Sequence, residues 1–376
     1  MAGIYLHIPF CKQKCNYCNF YSVASSRYKE DVLKAISKEL ISRKRYLGNQ
    51  IVSTIYFGGG TPSTLSSYEV NTLIEVIADN YHLDSDLEIT FEANPDDLSA
   101  EKVTELKQTP INRFSIGIQS FHDEDLKYLN RVHSGQEAKD VIKRVQDSGY
   151  NNLTIDLIYG IPTLTNNKWK ANLSYFFDLE ISHLSAYSLT VEPHTALDLF
   201  IRKGKLANVD EEQSIEQFNI LLREIKMNHF LQYEISNFCR DGFFSKHNRN
   251  YWNGSYYIGV GPSAHSYNGK SRQWNVSAIK PYIEGVNKDE SYYEIEFLKC
   301  SQRFNEYIMT SIRTIWGVSL DYIERNFGTS YRDHFLKGSV TYTDRRWMTN
   351  NNGNYVLTEE GRLHADGIAA EFFFIV

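Results

Sequence analysis

Short apolar segments alternate with amphipathic segments along roughly the first 230 residues of the chain. Segments rich in branched apolar residues are typical of buried strands, whereas apolar residues recurring every three or four positions are typical of helices. The predicted strands are Ile4–Ile8, Ser53–Phe57, Leu87–Glu92, Phe114–Gln119, Leu153–Ile158 and Leu184–Leu189. The predicted helices are Glu30–Leu47, Tyr68–Asn80, Gln136–Ser148 and Gln213–Met227.

This alternation predicts an α/β fold with a parallel sheet and right-handed crossovers. Six repeats fit either a partial (β/α)6 barrel, resembling part of a TIM barrel, or a doubly wound sheet, and periodicity does not choose between them. From about residue 233 the pattern becomes mainly helical: Arg303–Ile315 is amphipathic, and Thr358 is placed to cap a helix running towards Phe372. We therefore predict two domains, residues 1–232 and a smaller one at 233–376.

Glycines and polar residues follow the ends of several predicted strands. The second strand runs into Gly58-Gly59-Gly60-Thr61-Pro62, and the third ends at Glu92. Gln119 ends the fourth strand, and Asp156 lies within the fifth. Because functional groups of barrel proteins gather at the carboxyl ends of the strands, we expect these residues to contribute to one site.

Three of the five cysteines stand directly after the first predicted strand, in a Cys-x3-Cys-x2-Cys run. Cys11, Cys15 and Cys18 could hold three irons of a 4Fe–4S cluster and leave the fourth iron open, whereas a closed cluster usually has four protein ligands. A zinc site would need a fourth ligand, and a disulfide framework fits poorly with an odd number of cysteines. The run favours an iron–sulfur cluster, with zinc as the alternative.

Composition limits the classes of function and location. A net charge of −6, from 40 basic and 46 acidic residues, argues against a broad basic surface for nucleic acid. No apolar run approaches the roughly 18 residues of a membrane-spanning helix, and the first residues lack the basic region of a signal peptide. Thiolate ligands also require a reducing compartment. We expect a cytoplasmic protein with no nucleic-acid partner and no transmembrane segment.

Taken together, these motifs resemble the radical S-adenosylmethionine (SAM) superfamily, in which the open iron binds SAM. The blocks Tyr-x-His-Ile-Pro-Phe-Cys, Phe-Gly-Gly-Gly-Thr-Pro-Ser and Ser-Ile-Gly-Ile-Gln-Ser-Phe are similar to those of its oxygen-independent coproporphyrinogen III oxidase group, over essentially the whole chain. The resemblance favours an open six-stranded barrel and a C-terminal domain of winged-helix type. It implies a 4Fe–4S cluster on the three cysteines. It also implies SAM contacts from Tyr5, Tyr17, Gly59, Gly60, Thr61, Glu92, Gln119, Arg131 and Asp156.

Three features divide this group. Phe20 stands where the oxidases carry a further cysteine, their longer arm ahead of Cys11 is absent, and the segment from His247 to Trp252 matches the motif His-Asn-x-x-Tyr-Trp of haem-chaperone relatives. This resemblance implies a haem chaperone that binds haem through His247 and delivers it to haem-dependent respiratory proteins. It also implies a homodimer under some cluster-loaded conditions. His265 is a second candidate for the haem contact.

Two alternatives stay open at this point. The first is the oxidase itself, which would use SAM to decarboxylate two propionates of coproporphyrinogen III and yield protoporphyrinogen IX in porphyrin biosynthesis. The second is a radical SAM enzyme acting on another substrate. We therefore assign no catalytic residue, and leave open whether the protein is an enzyme.

Overall fold

Six parallel strands, adjacent in chain order, form the middle of a large sheet in the computed structural model, which describes residues 1–375. They are β1 (Ala2–Ile8), β2 (Val52–Gly59), β3 (Leu83–Ala93), β4 (Arg113–Gln119), β5 (Leu153–Tyr159) and β6 (His183–Ser188). All six predicted strands are confirmed, with ends that differ by a few residues.

Helices connect these strands and cover one face of the sheet. They are α1 (Lys29–Ser42), α2 (Ser67–Asn80), α3 (Ala100–Leu106), α4 (Asp123–Tyr128), α5 (Gly135–Asp147), α6 (Asn166–Asp178), α7 (Ala196–Arg202) and α8 (Glu211–Met227). The four predicted helices are confirmed as α1, α2, α5 and α8. Ser66 and Ser134 begin α2 and α5 with capping boxes, which satisfy backbone donors that the first turn leaves unpaired. The first helix is shorter than predicted, because the chain turns after Ser42 instead of continuing to Leu47.

Alternate residues of the six strands face two environments. Ile55 and Phe57 of β2 are fully buried in the hydrophobic core, whereas Tyr56 between them faces the other side of the sheet together with Glu92 of β3 and Asp156 of β5. Side chains from all six strands line one cavity of about 330 Å³ on that side. The sheet therefore curves into an incomplete barrel, which decides against a flat doubly wound sheet.

Strands after residue 230 extend the sheet at both ends, which the sequence pattern did not predict. On one side, β7 (Leu231–Gln232) and β8 (Asn237–Cys239) follow β6. On the other side the sheet continues past β1. Helix α9 (Lys246–Trp252) precedes this part of the sheet along the chain. The elements that follow are β9 (Tyr256–Val260), β10 (His265–Tyr267), β11 (Ser271–Asn275), α10 (Ile279–Lys288) and β12 (Tyr293–Phe297). Only β9 of these strands runs parallel to its neighbour, β1.

A buried carboxylate fixes this extension against the first helix. Glu39 of α1 is fully buried and accepts hydrogen bonds from Arg43 Nη1 at 2.7 Å and Tyr282 Oη at 2.6 Å. It also accepts from Asn275 Nδ2 and from the backbone N–H of Gly261, both at 2.9 Å. A buried charge is tolerated when such partners surround it, so Glu39 ties β9 and β11 to α1.

The last part of the chain forms a second hydrophobic core around a small sheet. Its elements are α11 (Cys300–Ser311), β13 (Val318–Ser319), α12 (Leu320–Phe327), α13 (Thr329–Asp344), β14 (Met348–Asn351), β15 (Asn354–Leu357), α14 (Glu359–Arg362) and α15 (Ala365–Glu371). The three strands are antiparallel in the order β13-β15-β14. This C-terminal unit is mainly helical, as predicted. Thr358 accepts a hydrogen bond from the N–H of Gly361, but the chain turns between α14 and α15, so the predicted single helix is two.

The two cores meet at a different place from the predicted domain boundary. The large sheet continues to Phe297, and the second core gathers residues between Phe304 and Phe372. The division after residue 232 stays a prediction. Every helix within the described chain is too short or too polar to cross a membrane.

Candidate functional site

The cysteine loop follows β1 at the carboxyl end of the barrel. The N–H of Cys11 donates to the carbonyl of Val23 at 3.0 Å, and the Asn16 side chain donates to the carbonyl of Tyr128 at 3.1 Å. All three thiols of the loop are half-buried. Among residues 1–375, no three His, Cys, Asp or Glu side chains are close enough to hold a single metal ion. In a 4Fe–4S cluster each thiolate binds a different iron, so the cysteines need not converge on one ion.

Arg131 connects the cysteine loop to the strand ends. Its Nη1 lies 3.3 Å from the Sγ of Cys15, and its Nη2 donates to Asn94 Oδ1 and to the Gly117 carbonyl, both at 2.7 Å. Asn94 in turn donates to Thr61 Oγ1 at 3.2 Å. A guanidinium in this position stabilises a neighbouring thiolate, which is the form that binds iron.

One donor of this network has no partner. The Nε of Arg131 is buried and makes no hydrogen bond within the described residues. Buried polar groups in proteins are nearly always paired, so an unpaired one beside a predicted ligand site favours a bound group that supplies an acceptor. The site therefore fits the cluster and SAM, whose carboxylate would provide such an acceptor.

The glycine loop after β2 packs tightly against β1 and the cysteine loop. A Cβ on Gly59, whose φ is +107°, would lie 2.7 Å from the His7 ring, and a Cβ on Gly60 would lie 2.8 Å from the carbonyls of Ile8 and Phe10. This close packing is by itself a reason for glycine at both positions. The predicted approach of SAM to this loop stays a prediction.

Two carboxylates lie inside the barrel cavity. Glu92 Oε1 accepts a hydrogen bond from Tyr56 at 2.7 Å, and enclosure in the barrel raises the pKa of Glu92 to about 7. Asp156 accepts from the Ser115 hydroxyl at 3.2 Å, and the same loss of hydration raises the pKa of Asp156 to about 6. A cationic ligand would stabilise both in their charged form. SAM carries a sulfonium and an ammonium group, so this cavity suits it.

The remaining predicted SAM residues lie around the same space. Tyr5 lines the cavity, with its hydroxyl 3.1 Å from His7 Nδ1. Gln119 is buried at the end of β4 in a left-handed conformation, and Tyr17 lies in the cysteine loop, where it packs against the barrel core. Phe20 is 64% exposed, and its apolar ring lines the same cavity.

His247 lies at the opposite end of the barrel from the cysteine loop. Its Nδ1 is 2.7 Å from Thr54 Oγ1, its Nε2 is 3.2 Å from Tyr251 Oη, and its backbone N–H donates to Glu88 at 3.0 Å. Burial lowers the pKa of His247 to about 3, so the imidazole is neutral. The residue is 3% exposed, because α9 inserts at the amino ends of β1 to β3.

The second histidine candidate has different surroundings. His265 of β10 is exposed, and its ring stacks on Trp274 at a centroid distance of 6.4 Å. It borders a smaller cavity that it shares with His7 and Phe20. The two candidate histidines therefore lie on different cavities, and His265 is the one that solvent reaches.

Three residues of the site were not singled out from the sequence. Asn94 is the partner through which Arg131 reaches the glycine loop, and it lies two positions after Glu92. Tyr56 and Arg113 line the cavity from β2 and β4. The two-residue period of a strand was the available signal, because it places these residues on the same face as residues already predicted to be functional.

Comparison with known proteins identifies the class. The profile of the radical SAM superfamily matches residues 5–175. The solved structure of coproporphyrinogen III oxidase (HemN) from Escherichia coli, described as a radical SAM enzyme, matches 100% of this chain and 90% of its own, with a TM-score of 0.85 and 20% identity. At that identity the likeness concerns the fold. Fold and site together define a radical SAM protein, a class whose cofactors are a 4Fe–4S cluster and SAM.

Sequence relatives identify the family. The "Heme chaperone HemW" of Bacillus subtilis is 33% identical over 376 residues, covering 99% of both chains. The protein of the same description from Lactococcus lactis is 31% identical, covering 95% of this chain and 93% of its own. The chain therefore belongs to the HemW family.

Proposed function

We propose that this protein is a haem chaperone that binds haem and delivers it to haem-dependent respiratory proteins. The observation that carries the proposal is the match to the Bacillus subtilis chaperone over 99% of both chains. The absence of a thiol at Phe20 supports it against the oxidase. We further propose that the protein acts in the cytoplasm, as a homodimer when the cluster is loaded, without nucleic acid as a partner.

The barrel residues would serve the two cofactors. Cys11, Cys15 and Cys18 would hold the cluster, which when bound supplies an iron with a coordination position open to SAM. Arg131 would balance the charge of the thiolate it contacts and offer its unpaired Nε to an acceptor on SAM. Glu92 and the other SAM residues would orient the cationic ligand from the strand ends.

His247 remains our predicted haem ligand. Its ring is neutral, which is the form that binds metals. Thr54 contacts Nδ1 at 2.7 Å and so fixes the ring in the way second partners orient metal-binding histidines. This leaves Nε2 as the ligand atom, and ligation requires the Tyr251 hydroxyl to move away from it.

Haem binding is tested on the full chain after anaerobic assembly of the cluster. We expect ferric haem to give a saturable shift of its main absorption band at one haem per chain, and we expect His247→Gln to weaken binding. His229→Gln, at an exposed position after α8, is the matched control. A wild-type protein that binds no haem contradicts the proposed function. Normal binding by His247→Gln contradicts only the assigned ligand.

The oxidase alternative is tested with the same preparation. Coproporphyrinogen III, SAM and a strong reductant are added, and the products are analysed by mass spectrometry. We expect no decarboxylated product while the cluster stays intact. Repeated turnover would overturn the chaperone assignment, and would show that Phe20 does not disable the oxidase reaction.

A further inference from the structure

A second cavity, of about 450 Å³, lies between the outside of the barrel and the C-terminal unit. One wall is formed by α9 and β9 to β11, and the other by α11 and α12. Eight aromatic side chains line it, among them Trp252, Tyr256, Tyr267 and Tyr322. We call this space the interdomain cleft. Its aromatic walls suit a flat ligand, because rings stack favourably on rings.

Two arginines face each other across the interdomain cleft. Arg272 donates through Nε to Glu306 at 2.5 Å and through Nη1 to Tyr257 at 3.2 Å. Arg303, from the opposite wall, lies over the Phe327 ring at 6.0 Å and has no carboxylate within 4 Å in the part of the chain that is described. Among the described lining residues there is one carboxylate for two guanidiniums, so one positive charge of the cleft has no ion-pair partner within residues 1–375.

Several phenols in the cleft are also unpaired. The hydroxyls of Tyr256, Tyr267 and Tyr322 make no hydrogen bond to any of residues 1–375. Each of these hydroxyls can donate to a carboxylate. The cleft therefore combines flat apolar walls, a free cation and free donors, which together match a planar aromatic acid.

We propose that the interdomain cleft binds the tetrapyrrole, with the ring between the aromatic walls and a propionate on Arg303. This inference rests on the proposed function and says where the macrocycle lies. A volume of about 450 Å³ falls within the range of small-molecule sites. Trp252, the last residue of the His-Asn-x-x-Tyr-Trp motif, lines this cleft, whereas His247, its first residue, lines the barrel cavity.

The barrel cavity is less suited to the same ligand. It is smaller, at about 330 Å³, and its two carboxylates, Glu92 and Asp156, outnumber its one guanidinium, Arg113. It is also the space that SAM would occupy. Tyr251 lines both spaces and separates them, with its hydroxyl directed to His247 and its ring against Tyr257 in the cleft wall. A macrocycle in the cleft therefore reaches His247, which lines the barrel cavity, only when the Tyr251 side chain moves aside.

The test compares an acid with its ester. Protoporphyrin IX and its dimethyl ester are titrated into the cluster-loaded full chain, and quenching of tryptophan fluorescence is followed. We expect Arg303→Gln to weaken binding of the acid roughly ten- to a hundredfold, as for loss of a charged hydrogen bond, and to leave the ester unaffected. Arg325→Gln, on the exposed side of α12 beside Asp321, is the matched control. Thermal unfolding checks that both variants fold.

The possible results of these titrations distinguish failure of the proposed function from failure of the cleft assignment. If the wild type binds neither haem nor protoporphyrin IX, the proposed function fails and this inference fails with it. If the wild type binds but Arg303→Gln is unchanged, the inference is overturned and haem binding is retained. If the ester binds the wild type as tightly as the acid, no carboxylate is recognised, and the cleft assignment is again overturned. Weaker acid binding in Arg303→Gln alone supports it.

Discussion

The barrel cavity and the interdomain cleft are both lined with tyrosines, but their charges are opposite. Two carboxylates, Glu92 and Asp156, outnumber Arg113 in the barrel cavity, whereas two guanidiniums, Arg272 and Arg303, outnumber Glu306 in the cleft. A cationic ligand such as SAM is therefore favoured in the first, and an anionic one such as haem in the second. Under the proposed assignments, the charge of a few side chains, more than the shared aromatic walls, would divide the two ligands between these neighbouring spaces.

The most severe test of this separation removes a cluster ligand. We expect Cys18→Ala to abolish iron–sulfur absorption and SAM binding, because two thiolates do not hold the cluster. If the cleft is an independent site, haem affinity should change by no more than a few fold. Absorption spectra follow the iron–sulfur cluster, and a haem titration measures the haem affinity. Cys300→Ala, at an exposed position on α11, is the control. If Cys18→Ala lost SAM binding and haem binding equally, the two ligands would share one site.

Glu39 supports the cleft wall formed by β9 and β11, and it does not line the barrel cavity. We expect Glu39→Ala to lower the free energy of unfolding by about 3–5 kcal/mol, because Arg43 would be left without its carboxylate in a buried position. Urea unfolding measures the change. Glu30→Ala, at an exposed position in the same helix, should have no measurable effect. A small change in Glu39→Ala would show that β9 and β11 are held by packing alone.

The enclosed carboxylate of the barrel predicts a dependence on pH. The pKa of Glu92 rises from its ordinary value of 4.5 to about 7 in the folded protein, so the stability it contributes is complete below 4.5 and is lost as the pH rises through 7. Relative to wild type, Glu92→Gln should therefore gain up to about 3 kcal/mol between pH 5 and pH 8.

Urea unfolding of the cluster-free protein at the two pH values measures this gain. Glu75→Gln, at an exposed position on α2, is the matched control. A Glu92→Gln protein that loses stability at pH 8 would mean that the carboxylate is already charged and balanced in the folded state.

The smallest expected difference between a variant and its control concerns the glycine loop. Gly59 and Gly242 both have positive φ, at +107° and +84°, but a Cβ on Gly59 would lie 2.7 Å from the His7 ring whereas Gly242 faces open space. Gly242→Ala should cost about 1–2 kcal/mol for the backbone alone, and Gly59→Ala a further 1–3 kcal/mol for the overlap. Thermal unfolding compares the stabilities of the two variants. Equal losses would show that the loop shifts freely.

Much of the fold was accessible from the chain alone. Regular alternation predicted β1 to β6, because each of these strands is a local run of apolar residues. The strands β9 to β12 were missed, since they are short, and polar and aromatic residues are frequent in them. Their place in the sheet depends on contacts such as those of Glu39, which a local pattern does not contain.

The candidate site also has parts that the sequence predicts and parts that only the folded chain brings together. Close sequence spacing was enough to identify the cysteine loop, because its three thiols come from eight consecutive residues. Folding alone brings Arg131 to Cys15 and Arg303 to the wall that carries Arg272. It also encloses His247, which a sequence motif marks without showing its burial. Periodicity and motifs are properties of neighbouring residues, whereas cavities, charge balance and burial arise between residues far apart in the chain.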